Sequence, residues 1–373
     1  MGGIRVGRIL GFEINIDWSW LLIFFLVVYT LANGYFPRAY PQFNIATNWA
    51  VGVLAALLLF TSVLIHELSH SVVARRYGAR VKGITLFLFG GVSQTADEPR
   101  SPTEEFWMAI VGPLTSFVLA LVFYLAGGIG ALAAWPAPVV AVLGYLALIN
   151  FLLGAFNLVP GFPLDGGRVL RSILWGATGN LARATRWASS AGIAVAYAFM
   201  AVGFLDILLG AFLGGLWLVF IGWFLAGAAR ASYQQLQVRQ ALSGVPVEQV
   251  MTAEVPVIPA DMTVRSFVDD QLLRREETCY PVTSGGEVIG VVGVEEVRKI
   301  PSQEWDRVRL GDIVHSIDGV YKIRADDDAW DALNRLTSED VCRLIVMEDD
   351  NVKGTVGRES VFRLVQTKLR LGM

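Results

Sequence analysis

The hydrophobic and polar positions divide the chain into two unlike parts. From Trp18 to Ala229, long apolar runs alternate with short polar connections, and the rest reads as an ordinary charged soluble protein. A helix needs about 20 apolar residues to cross the hydrocarbon core of a bilayer. Six runs come near that length: Trp18 to about Asn33, Trp49 to Val73, Phe106 to Ile129, Pro138 to Val159, Trp187 to Ile207 and Leu208 to Ala229. Residues 4–17 alternate enough to predict a short strand or interfacial segment ahead of the first run. The stretch VKGITLFLFGGVSQTADEP, 81–99, is too short to span and predicts a hairpin or strand lying against the helices.

The basic residues agree with six spans. Arg5 and Arg8, then Arg75, Arg76, Arg80 and Lys82, then Arg168, Arg171, Arg183 and Arg186, then Arg230 and Arg239 fall in alternate connections, and the intervening ones hold only Arg38. The positive-inside rule places the basic connections, both termini and the C-terminal part in the cytosol. The start, MGGIRVGRILGFEINID, has no apolar core and no small-residue cleavage site, so the first run is expected to stay in the mature protein.

The sequence predicts a transmembrane domain over 1–230, a polar linker over 231–245, and an internal repeat over 246–373 with copies at about 246–302 and 308–367. Each copy reads as a helix, a strand around a cysteine (TCYPVTS, VCRLIVM), a turn, a second strand (VIGVVG, VKGTVG) and a final helix. The expected fold class is a polytopic α-helical membrane protein with a short membrane-associated β segment and a cytosolic α/β domain.

Composition sharpens this picture at three points. With 54% hydrophobic residues the chain has a membrane composition, and a net charge of -3 argues against a nucleic-acid partner. Cys279 and Cys342 lie far apart, with no zinc-site spacing and no disulfide framework, so they are expected to be reduced thiols.

The candidate chemistry lies in LLLFTSVLIHELSHSVV, 57–73. Ionisable side chains are costly inside a membrane, so an intramembrane cluster marks a functional site by default. In H-E-x-x-H, His66 and His70 share one helix face and can converge on one metal ion, with Glu67 beside them to act on water. Catalytic zinc usually takes three protein ligands. The one other histidine, His315, falls in the soluble repeat, so the third ligand is expected to be a carboxylate. Asp97, Glu98, Glu104 and Glu105 belong to a polar segment, and Asp206 lies at the far end of the fifth span. Asp165 lies at the depth of His70, in a helix broken by Pro160, Pro163 and Gly166-Gly167. A plain helix-end turn, PLDGG, is the competing reading of that residue.

HELSH at 66–70, together with N-x-x-P-x-x-P-L-D-G at 157–166, resembles the site-2 protease family of intramembrane zinc metalloproteases, peptidase family M50; Gly90-Gly91 and Gly112-Pro113 fit the same pattern. The repeat resembles a pair of CBS motifs, found in one branch of that family. By this resemblance His66, His70 and Asp165 hold one Zn2+ per chain, Glu67 is the general base, and Asn157 positions the substrate or polarises its carbonyl. Asn157 has the alternative role of holding the broken helix. The strand around Gly90 and Gly91 can accept an unwound substrate by strand addition or act as a plug over the cavity.

The resemblance implies a single-pass membrane protein substrate, such as an anti-sigma factor, and a place in the plasma membrane of a prokaryote. CBS pairs often bind adenine nucleotides. Here GVVGVEE and GTVGRES depart from the usual ligand pattern, which leaves nucleotide binding set against a structural role or homodimer formation through the pair. A CBS-regulated transporter or channel is the alternative from another class.

Overall fold

The computed structural model describes residues 3–79, 81–87, 90–95, 99–253, 257–274, 279–316, 321–338, 341–348 and 351–371. The chain forms two compact units, 1–234 and 235–373. Arg80, Leu88, Phe89, Asp97 and Glu98, named above, lie outside the described residues.

The first unit opens with a hairpin of β1 (Gly3–Ile9) and β2 (Phe12–Asp17). The Asp17 carboxylate accepts the Ser19 backbone N–H at 2.9 Å and starts α1 (Trp18–Thr30). Such a cap stabilises a helix by about 1 kcal/mol. The chain continues through a wide helical turn into α2 (Phe36–Ala39), so the first span runs to Ala39, past the expected end at Asn33. Asn44 caps α3 (Ile45–Arg76), accepting from the Thr47 N–H at 2.8 Å. There follow β3 (Val81–Phe87), β4 (Gly90–Thr95), α4 (Pro102–Leu132), α5 (Ala137–Asn157), α6 (Asp165–Thr178), α7 (Leu181–Leu208) and α8 (Phe212–Leu242). Among the described residues, six helices are long and apolar enough to cross a membrane, in the order expected.

Burial in this unit is inverted relative to a soluble bundle. Small residues lie inside, Gly52, Ala55 and Ala56 on α3, Ala109, Gly112 and Ser116 on α4, Ala188, Gly192 and Ala196 on α7. Leu22, Phe25, Val118, Tyr124 and Leu213 are exposed. Lipid is as apolar as leucine, so helices associate by close backbone approach rather than by hiding large side chains.

The four strands form one sheet in the order β1-β2-β3-β4. β2 and β3 are parallel, from Glu13 opposite Gly83 to Ile16 opposite Leu86. β2 precedes the first span and β3 follows the second, so their pairing requires both to lie on one side of the membrane. Arg75 ties the two ends together: its Nη1 donates to the Leu10 carbonyl at 2.8 Å and its guanidinium lies 4.5 Å from the centre of the Phe12 ring. β4 is left at the sheet edge.

The second unit is a two-fold repeat. The first copy contains β5 (Ile258–Pro259), α9 (Val264–Phe267), β6 (Cys279–Ser284), β7 (Glu287–Gly293) and α10 (Val294–Arg298). After α11 (Leu310–Ile313) and β8 (His315–Ser316), the second copy contains β9 (Lys322–Arg324), α12 (Ala329–Ser338), β10 (Arg343–Glu348), β11 (Asn351–Gly357) and α13 (Arg358–Leu371). In each copy a parallel strand pair is followed by an antiparallel hairpin, and both hairpins shift register at the same place, Val282/Thr283 and Val346/Met347.

Three expectations are corrected. The stretch 231–245 is not a polar linker throughout, because α8 continues to Leu242. Leu236, Ala241 and Leu242 are buried, so an apolar stripe inside QQLQVRQAL sustains the helix. Residues 165–178, where no helix was foreseen, form α6. Its Gly166 and Gly167 allow close packing on the preceding loop, and Gly179, at a φ of 65°, ends it. Cys279 and Cys342 are joined in a disulfide with Cα atoms 6.1 Å apart. Distance along the chain concealed the pair: each cysteine stands at the start of the central strand of its own copy, and the copies bring those strand starts together around Val291 and Ile345.

Candidate metal centre

The site is built from α3, α4 and the start of α6. His66 and His70 stand one turn apart on α3 and are 3% and 7% exposed. Asp165 is the first residue of α6. Its Oδ2 lies 3.1 Å from Nε2 of each histidine, and the two Nε2 atoms are 3.2 Å apart. Three ligand atoms this close can converge on one cation. Two imidazole nitrogens and one carboxylate oxygen are a donor set that catalytic zinc takes, so the residues fit that metal. Among the described residues this is the one group of three that could hold a metal ion.

The far side of each imidazole is also held. His70 Nδ1 lies 2.6 Å from the backbone carbonyl of Met108. A carbonyl can only accept, so His70 carries its proton on Nδ1 and keeps the Nε2 lone pair for a ligand. His66 Nδ1 lies 2.8 Å from Ser116 Oγ. Met108, Gly112 and Ser116 follow one another at i, i+4 and i+8 on α4 and present one face to the histidines. A Cβ on Gly112 would overlap His70 Nε2 and come within 2.6 Å of His66 Nε2, so only glycine fits.

Asp165 depends on the loop before it. The backbone there is satisfied locally: Gly161 N–H donates to Val159 at 2.8 Å, Leu164 to Gly161 at 3.1 Å, and Gly167 to Leu164 at 2.9 Å. Such pairing is what irregular backbone needs at membrane depth. Arg171 of α6 donates from Nε to Oε1 of the fully buried Glu105 at 2.6 Å, with Nη2 on the same oxygen. Its guanidinium centre is 5.1 Å from the centre of the Phe162 ring, clamping the loop to α4.

The cluster opens onto a cavity of about 600 Å³ whose lining includes Glu67, Gly90, Gly91, Asn157 and Arg168, with Trp217 among several α8 residues. His66, Glu67, His70, Gly90, Gly91, Asn157 and Asp165 all line this one cavity. A Cβ on Gly91 would overlap Glu67 Cγ and stand 3.1 Å from its Cδ, so the β4 backbone lies against the glutamate. Asn157 ends α5 and donates from Nδ2 to Leu153 O at 3.0 Å. Sequence reasoning missed Ser116, the Met108 carbonyl, the Glu105–Arg171 pair, Arg168 and the α8 lining. Ser116 could have been found from its spacing of four after Gly112.

The sequence model of peptidase family M50 matches residues 54–132 and 129–200, and that of the CBS domain matches residues 247–302. A Mycobacterium tuberculosis protein is 36% identical over 370 residues, covering 97% of this chain and 92% of its own. A Synechocystis protein is 34% identical over 367 residues, covering 98% of this chain and 96% of its own. The names of both describe zinc metalloproteases. The chain belongs to peptidase family M50. It is similar as well to the site-2 protease of Methanocaldococcus jannaschii, at 28% identity and a TM-score of 0.43, over 62% of this chain and 95% of that one.

As an M50 peptidase, the chain is a zinc metalloendopeptidase of the site-2 type with a C-terminal CBS domain. The transporter or channel alternative falls with that assignment.

Proposed function

We propose that this M50 peptidase cleaves single-pass membrane proteins in or near their transmembrane segment. The observation that carries the reading is the convergence of His66, His70 and Asp165 beside Glu67 on a cavity walled by apolar spans and by the free edge of β4. His66, His70 and Asp165 are the zinc ligands in this reading. When bound, zinc supplies Lewis acidity to the scissile carbonyl and brings the pKa of an attacking water down toward about 7.

The protein's residues do the rest. A transmembrane helix hides its carbonyls in i→i−4 bonds, so the substrate must unwind before attack. The β4 edge at Gly90 and Gly91 takes one side of the unwound segment as an added strand. Glu67 takes a proton from water on its carboxylate and hands it to the leaving amine. Asn157 positions the substrate beside the loop end, while its Nδ2 also holds α5.

The protease domain is assigned to 1–230 and the CBS pair to 246–373, with the chain in the plasma membrane of a prokaryote and both termini cytosolic. The substrate is of the anti-sigma factor type. The CBS pair serves as a regulatory or dimerising module. Glu296 Oε2 accepts from the Gly293 N–H at 2.9 Å, and Ser360 Oγ donates to Gly357 O at 2.9 Å. These side chains turn back on their own backbone, which favours a dimerising role over adenine nucleotide binding. Calorimetry of the full chain with AMP, ADP and ATP tests that point, and a saturable heat would overturn it.

The deciding experiment pairs metal analysis of the purified chain with cleavage of a single-span substrate, with and without a zinc chelator. One zinc per chain and chelator-sensitive cleavage are expected. Cleavage that survives complete zinc removal would sink the reading.

A further inference from the structure

A cation, Arg168, lines the cavity close enough to Glu67 to act on its carboxylate through space. Arg168 follows Asp165 by three residues on α6, so both project from one helix face, and both line the cavity that holds Glu67 and Asn157. The neighbouring basic residues are engaged: Arg171 with Glu105, and Arg75 with the Leu10 carbonyl. Arg168 makes no hydrogen bond or ion pair with any of the described residues. A guanidinium at membrane depth is costly unless it meets an anion or carbonyl oxygens.

The other side-chain donors on this wall have fewer hydrogens to offer. Both histidines use Nδ1 on α4 and direct Nε2 to the metal cluster. Asn157 has one of its two Nδ2 hydrogens on Leu153 O and one left for the substrate. Trp217 brings a single N–H, against the five of a guanidinium.

An extended substrate creates the demand that Arg168 can meet. Alternate residues of a strand send their carbonyls to opposite edges. Pairing with β4 satisfies one edge and leaves the other facing an apolar cavity, where each unpaired carbonyl costs free energy comparable to a lost hydrogen bond. We infer that Arg168 is the subsite for this second edge: its guanidinium donates to backbone carbonyl oxygens of the unwound substrate near the scissile bond. The inference rests on the proposed protease function and deepens it, because it makes recognition of the unwound state independent of substrate side chains. Zinc binding is not part of this role, since Arg168 offers no ligand atom.

The test uses the zinc-loaded full chain in nanodiscs, silenced by Glu67→Gln. The probe is a fluorescent single-span peptide of Leu and Ala, about 25 residues long with Lys flanks and no acidic residue. A second peptide carries one Asp in the segment that unwinds. Adding Arg168→Met should weaken binding of both peptides by about tenfold or more, with zinc content and zinc affinity unchanged, and Arg168→Lys should restore part of the loss. In the active chain, Arg168→Met should raise KM by a similar factor.

Unchanged affinity for the neutral peptide overturns the inference. A loss confined to the Asp peptide overturns it in favour of side-chain carboxylate recognition, and a parallel loss of zinc overturns it in favour of a role at the metal centre. Absence of cleavage by the wild type would count against the protease reading alone, because the binding comparison between silenced chains still decides the role of Arg168.

Discussion

Ser116 Oγ lies 2.8 Å from Nδ1 of His66, on the side of the ring away from Asp165. The contact fixes the ring plane and leaves Nε2 to face the other ligand atoms. Partners of this kind typically tune metal affinity by 10–100-fold. Ser116→Ala is therefore expected to weaken zinc binding by about that factor, measured by chelator competition, while the chain still inserts and folds. Unaltered zinc affinity would show that the packing of α3 alone orients His66.

Glu67→Gln keeps the size of the side chain and removes its ability to take a proton. General-base loss costs about 10²- to 10⁴-fold. The variant should hold one zinc per chain, bind substrate and cleave at a rate lowered by that order. A chain that keeps wild-type turnover would remove Glu67 from the chemistry.

Gly112→Ala places a methyl group where the two histidine Nε2 atoms lie. Zinc content and cleavage should both be lost. Gly128→Ala on the same helix is the control, since a Cβ there meets open space. Full zinc occupancy in Gly112→Ala would mean that α4 can withdraw from α3 at little cost.

The Glu105–Arg171 pair joins α4 to α6, with Glu105 fully buried and the Arg171 side chain 13% exposed. Removing one member of a buried pair costs about 3–5 kcal/mol, because the remaining charge is left uncompensated. Arg171→Met should lower thermal stability and loosen the loop that carries Asp165. The double variant Glu105→Gln/Arg171→Met should recover most of the stability. Stability losses that simply add would show that the two residues do not act as a pair.

The grouping of His66, His70 and Asp165 was readable because each departs from its surroundings. Two histidines at helical spacing stand in an apolar run, and one carboxylate sits where prolines and glycines break a span. The six spans were readable for the same reason, since lipid demands long apolar helices and leaves little ambiguity in composition. The first span still ran past Asn33, because a wide turn keeps NGYFPRA helical.

What stayed hidden depends on neighbours that are distant in sequence. Ser116 looks like any small residue until α4 is laid against α3. Ala241 and Leu242 look like interruptions in a polar stretch until the second copy of the repeat covers them. Cys279 and Cys342 meet only once both copies have folded. Arg168 passed as one more basic residue in the positive-inside count, and only the cavity separates it from Arg171.

The position of the ligands along α3 has a further consequence. His70 is six residues short of Arg76, the basic end of the helix, which at about 1.5 Å per residue is about 9 Å. In the proposed reading, with Arg75 and Arg76 at the interface, a bond cut at that depth would divide a hydrocarbon core of about 30 Å very unequally. The product on the arginine side keeps about six apolar residues, far below the number that holds a helix in lipid. The other product keeps more than twice as many. If the proposed substrate is cut there, the offset of two histidines from a helix end would act as a ruler that decides which half stays behind and which half is set adrift.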